Sequence, residues 1–141
     1  MKNGILLCLL ALSLSWVSCK KKDETPPPVP SCVAGTGGNV TLVAFPQHHG
    51  KAILSRKDYL DSAFVKFNTQ DPTGTKPSDF DAIFVGEEGE DHVHLKGLKC
   101  GKYYIMMTGF DTTIHQRVKG GLPLEITETS GEKDINFPVS E

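Results

Sequence analysis

Five histidines and a few carboxylates are the side chains in this sequence best suited to chemistry. His48 and His49 are adjacent within Pro46-Gln47-His48-His49-Gly50, a turn-like stretch in which neighbouring side chains need not point to opposite faces. His92 and His94 are two apart in a run that reads as a strand, so both imidazoles share one face. If Val93 and Leu95 face the core, that face is the solvent side. Two imidazoles on successive outward positions can chelate a cation, but a zinc site generally takes three or four protein ligands. The pair therefore reads as exposed polar residues, with no metal assigned. Asp111 and His115 join His48 and His49 as candidate binding residues, on condition that the fold brings the four together.

Catalytic constellations are thin, and no catalytic residue or cofactor is expected. There is no Gly-x-Ser-x-Gly elbow. Gly35-Thr36-Gly37-Gly38 is glycine-rich but leads into a strand and not a helix, so it is no phosphate loop. Cys32 and Cys100 lack the Cys-x-x-Cys spacing of redox and zinc sites. The chain is read as a non-enzyme.

The N-terminus carries the sharpest signal. Met1-Lys2-Asn3 precedes an apolar run, Ile5 to Leu14, too short for the roughly 20 residues that cross a bilayer. Its length suits a signal peptide. Ser18, a small residue, precedes Cys19, and Lys20-Lys21-Lys22-Asp23-Glu24 follows. This segment resembles a bacterial lipobox, which implies lipid attachment at Cys19, although Trp16 stands where an aliphatic residue is usual. Lys22-Asp23-Glu24 is similar to a short tag that sends lipoproteins to the outer face of the outer membrane; a solvated charge run is the alternative. The expected location is the bacterial cell envelope, lipid-anchored at the outer membrane.

These readings divide the chain. Residues 1–18 are a signal peptide, 19–38 a lipidated cysteine and proline-rich tether, and 39–141 a single β-sandwich domain. Loss of Lys2 leaves 14 Lys+Arg against 17 Asp+Glu, a formal charge of −3. That balance excludes nucleic acid as a partner, since such domains are usually strongly basic. Thr25-Pro26-Pro27-Pro28-Val29-Pro30 favours extended polyproline II. At about 3.1 Å per residue, Lys20 to Ser31 could span roughly 37 Å. With Cys19 lipidated, Cys32 and Cys100 are the two thiols left in an oxidising compartment, which predicts one disulfide. Two reduced core cysteines are the alternative.

The elements that must position these groups read as strands. Val40–Phe45, Ala63–Phe67, Asp81–Val85, His92–Leu95, Lys102–Thr108, Leu124–Thr127 and Asp134–Phe137 are β-branched, apolar or alternating. Ser55–Asp61 is one helical turn or a loop. Seven short strands separated by turn residues predict an all-β sandwich, with a barrel as the alternative.

Gly97-Leu98-Lys99-Cys100-Gly101-Lys102-Tyr103-Tyr104 resembles the Gly-Leu-x-Pro-Gly-x-Tyr turn of carboxypeptidase-regulatory-like, or prealbumin-like, domains. Gly50-Lys51-Ala52-Ile53 is similar to the turn after that family's first strand, and Gly109-Phe110-Asp111 to its Gly-Tyr element. The likeness covers Val40 to Val139 and implies a seven-stranded Greek-key sandwich. Its motifs build turns, so they speak to fold more than to function. The family includes a purine-catabolic hydrolase whose chain ends Tyr-Arg-Gly-Ser; the ending Phe137-Pro138-Val139-Ser140-Glu141 does not support that activity. The expected function is a non-catalytic accessory or interaction module, with the membrane and an envelope protein as partners. The alternative is a lipoprotein binding a metal ion or small molecule through the His48-His49 loop. Glycan capture is disfavoured because Trp16, the one tryptophan, leaves with the signal peptide.

Overall fold

Alternation of side chains builds two sheets. In Gly101–Asp111 the side chains of Tyr103, Ile105 and Met107 are fully buried, while Lys102, Tyr104 and Thr108 reach solvent wholly or in part. In Thr36–His48 the even positions Leu42, Ala44, Pro46 and His48 turn inward. The computed structural model describes residues 32–72 and 74–141. The signal segment, Cys19 and the proline-rich run lie outside the described residues.

Eight strands are present among the described residues: β1 Thr36–His48, β2 Lys51–Ala52, β3 Ser62–Phe67, β4 Ala82–Val85, β5 Val93–Leu98, β6 Gly101–Asp111, β7 Gln116–Ile126 and β8 Ser130–Val139. One sheet is centred on β1. It pairs in parallel with β8 from Asn39 to His48, and on its other edge antiparallel with β5 and then β2. The second sheet has the order β4-β3-β6-β7, all antiparallel. Val40, Leu42, Ala44, Val93 and Leu95 from the first sheet pack on Ala63, Val65, Tyr103, Ile105 and Met107 from the second. The all-β two-sheet reading holds. The expected count of seven is corrected to eight, because the two-residue β2 is too short to leave a pattern.

Other boundaries also move. β1 begins at Thr36, ahead of the expected strand start at Val40, and runs past Pro46. Pro46 is tolerated because it falls where β5 has ended, at Ala44, and β2 begins, at Gln47. β7 extends eight residues N-terminal to the expected Leu124. Ser55–Asp61 is a loop, tightened by a bridge between Arg56 and Tyr59.

The disulfide Cys32–Cys100 is formed, with Cα atoms 4.9 Å apart. It belongs to a larger fastening of the leading segment. Tyr103 Oη donates to the Lys99 carbonyl at 2.6 Å and accepts from the Gly35 amide at 3.1 Å. The Ala34 amide donates to Asn68 Oδ1 at 3.0 Å. Gly101 is glycine for two reasons: its φ is +145°, and a Cβ there would collide with the Ala34 backbone.

The two ends of the sandwich therefore differ. The disulfide end gathers the start of β1, the β5–β6 turn and the start of β6. The opposite end gathers the finish of β1, the finish of β6 and residues 53–61.

Candidate functional site

His48 is the last residue of β1 and points inward because it continues the buried even positions. It is only 5 % exposed. Nδ1 lies 2.7 Å from Asp111 Oδ2, and Nε2 lies 3.0 Å from Glu141 Oε2. A carboxylate only accepts, so an imidazole between two of them is best satisfied as a doubly protonated cation. The Asp111 contact is the chief reason the His48 pKa is raised above its ordinary 6.5, with Glu141 adding and burial opposing. The same contact chiefly holds the Asp111 carboxyl below the usual range. Glu141 is lowered first by its own backbone amide and then by His48. The cluster clamps the ends of β1 and β6 to the C-terminal segment.

One expected result follows. His48 should keep its proton to a higher pH than a free histidine, and Asp111→Asn should bring its titration down, as read from imidazole resonances in NMR. A raised histidine pKa stabilises the fold fully below 6.5, and that contribution fades as pH rises through the folded value. Titration of His48 at or below 6.5 would contradict the clamp.

The structure brings together His48 and Asp111, as the sequence reading required, but not the whole expected set. His49 forms a two-residue hairpin loop with Gly50, both at positive φ. Its ring stacks on that of His48, with centroids 4.2 Å apart. His115 sits exposed in the β6–β7 turn at φ +55° and makes none of the hydrogen bonds found around His48 among the described residues. Glu141 takes the place expected for it. No sequence pattern pairs residues 93 apart, so that contact had no local signature.

Beside this clamp opens a cleft of about 610 Å³. Lys51, Ile53, Arg56, Glu88, Phe110 and Asp111 are among its walls. One wall is stiffened by alternating cations and rings. The Arg56 guanidinium lies 5.1 Å from the Phe110 centroid, Phe110 lies 6.2 Å from Tyr59, and Arg117 caps Tyr59 at 5.0 Å. Arg56 is further held by Asp58 through two hydrogen bonds of 2.9 Å. Asp58 is lowered mainly by this pairing. Behind the cleft, Asp61 is fully buried, and neither carboxylate oxygen has a hydrogen-bond partner among the described residues. Burial pushes its carboxyl up to about 7. The sequence reading places Asp61 at the end of a stretch that is one helical turn or a loop and gives it no role, since burial of a polar residue leaves no periodic trace.

His92 and His94 share the outer face, as expected, because Val93 and Leu95 are fully buried. They are not isolated. His92 Nε2 lies 3.1 Å from His94 Nε2 and 2.9 Å from Glu90 Oε2. His92 Nδ1 lies 2.9 Å from Asp91 Oδ1. The acidic turn before β5 thus supplies two carboxylates, from Glu90 and Asp91, to the histidines.

Comparison with protein-family models, curated proteins and solved structures found no match.

Proposed function

We propose that this chain is a lipid-anchored, non-catalytic binding module of the bacterial envelope, attached through Cys19 and built on a prealbumin-like, carboxypeptidase-regulatory-like Greek-key sandwich. The carrying observation is polarity along the domain. Cys32, the first described residue, just beyond the proline-rich run Thr25–Pro30, is fastened to the β5–β6 turn at one end. The cleft lies at the other. Between them runs β1, 13 residues long, or about 40 Å at strand rise. A domain tethered at one end holds its cleft toward whatever lies beyond the membrane surface.

The cleft suits binding more than turnover. His48, bonded to the cleft residue Asp111, has both ring nitrogens committed to carboxylates, which leaves no free lone pair for a general base. Its wall offers fixed cations and aromatic faces, the residue types that anchor protein interfaces. An envelope protein with an acidic or aromatic contact patch is the partner this surface fits. Capture of a metal ion or small molecule at the His48-His49 loop is the second reading; the nitrogens of His48 are already engaged, and the Glu90–His92–His94 group is the better place for an ion.

Two measurements test the reading. Radiolabelled palmitate should enter the wild type and vanish in Cys19→Ala; label and membrane fractionation persisting in Cys19→Ala would refute the anchor. In-cell crosslinking should trap a specific envelope protein on the wild type and lose it in Arg56→Glu/Phe110→Ala. A turnover activity abolished by Asp111→Asn would overturn the non-catalytic reading.

A further inference from the structure

The group on β5 has a proton problem that a cation solves. An imidazole nitrogen either donates or accepts, and a carboxylate only accepts. With His92 Nδ1–H donated to Asp91, the neutral ring presents the Nε2 lone pair. That lone pair would face a carboxylate oxygen 2.9 Å away and a second imidazole nitrogen 3.1 Å away. Protonating Nε2 relieves the repulsion with Glu90 but leaves Glu90 Oε2 and His94 Nε2 competing for one hydrogen. His94 does not compensate elsewhere, because its Nδ1 is buried and without a partner among the described residues. A positive ion among the three atoms satisfies all of them together.

We propose that Glu90, His92 and His94 form a binding site for a divalent transition-metal ion of the zinc class. The ligands are Glu90 Oε2, His92 Nε2 and His94 Nε2, and Asp91 orients the ring of His92. Two imidazoles and a carboxylate are a ligand set that zinc accepts, with a fourth position open to solvent or a further donor. The ligand atoms lie within 4.8 Å of one another. Tetrahedral coordination at about 2.1 Å sets neighbouring ligands roughly 3.4 Å apart, so the observed gaps of 2.9 and 3.1 Å need to open by about half an ångström or less. The Asp91–His92 contact reproduces the carboxylate–histidine arrangement that fixes a metal ligand's tautomer.

The scaffold is rigid where the site needs it. Val93 and Leu95, between and beside the ligands, are fully buried, and His94 is in register with Val43 of β1. The ring of His92 packs on Phe45, centroids 5.3 Å apart. The group opens on a small cleft of about 180 Å³ along the seam between β4 and β5, which Glu87 and Lys96 also line. Four carboxylates in the turn Gly86 to Asp91 outweigh the one lysine, so the field favours a cation. The other histidine grouping, His48, His49 and Glu141, differs in kind. There a cation would have to break an ion pair already complete on both nitrogens of His48.

This inference stands apart from the cleft and the lipid anchor. The test is titration of the chelator-stripped full chain with Zn²⁺ against a fluorescent competitor. One ion per chain should bind. His92→Gln and His94→Gln should each weaken binding at least a hundredfold, Asp91→Asn by about ten- to a hundredfold, and His115→Ala not at all. Nitrogen-15 spectra of the wild type should show two Nε2 resonances moving on zinc addition while Nδ1 of His92 stays protonated, a readout that does not depend on any variant folding. Absence of saturable binding overturns the proposal. So does binding that survives both glutamine substitutions, or zinc-induced shifts confined to His48 and His49.

Discussion

Replacing Cys32 and Cys100 together by serine is expected to lower the stability of the domain by about 4 kcal/mol. The bridge joins residues 68 apart, and the chain-entropy account assigns a cross-link of that span roughly this value at 25 °C. The effect resides mainly in the unfolded chain, which the bridge prevents from expanding. In the folded state much of the fastening survives the substitution. Tyr103 still binds the Lys99 carbonyl and the Gly35 amide, and Asn68 still accepts from Ala34. The double variant should therefore keep its far-UV circular dichroism at moderate temperature while its urea midpoint falls. The Ala34 amide should exchange faster, since its segment is then held by hydrogen bonds alone. A loss below 1 kcal/mol, with exchange at Ala34 unchanged, would show that the hydrogen bonds and the packing of Ala34 carry the fastening and that the bridge is incidental.

The parts of this fold legible in the sequence were those where burial is periodic. Val93 and Leu95 alternate with His92 and His94, and β5 places them as that alternation requires. Tyr103, Ile105 and Met107 likewise mark the inner face of β6. β7 was mostly missed because Lys119-Gly120-Gly121-Leu122-Pro123 is poor strand sequence. Edge position excuses it: β7 pairs along its length with β6, and its other edge meets a bridge from Lys119 to Ser140 that does not involve Pro123, so Pro123 can forgo its amide. The candidate sites were legible only in halves. His48 and Asp111 were named, but Glu141 reaches them through β8, whose parallel pairing with β1 has no local cue. His92 and His94 were set aside for want of a third ligand. That ligand, Glu90, was in view two residues upstream. It lies in the turn Gly86 to Asp91, and only the actual backbone path shows that this turn returns its carboxylate to the strand's outer face.

Stability of the wild type is expected to fall by about 3 kcal/mol between pH 5 and pH 7.5, and Asp61→Asn is expected to remove most of that fall. In the unfolded chain the Asp61 carboxyl ionises near its ordinary 3.8; in the fold, burial without a partner raises it to about 7. Between those values the native state holds a proton that the unfolded state has released. Stability then declines by about 1.4 kcal/mol per pH unit, and the decline ends once pH passes the folded value. This is the opposite of a salt-bridged carboxylate, whose contribution grows as pH rises. His48 also loses stabilisation with rising pH, but only above 6.5 and equally in both proteins, so the difference between wild type and variant isolates Asp61. Asp111 and Asp81, both held below the usual range, are ionised throughout the window and add no slope. The carboxyl fits because Gly109 faces it: a Cβ there would come within 2.8 Å of Asp61 Oδ1. Asparagine keeps the shape without the charge, so the two proteins should match only below pH 3.8; the gap in the variant's favour should be about 1.7 kcal/mol at pH 5 and grow to about 4 kcal/mol above pH 7. Urea denaturation of both across that range reads the difference directly. If the gap between them is the same at pH 5 and pH 8, Asp61 does not titrate as its burial demands, and water or a counter-ion must reach it from the adjoining cleft.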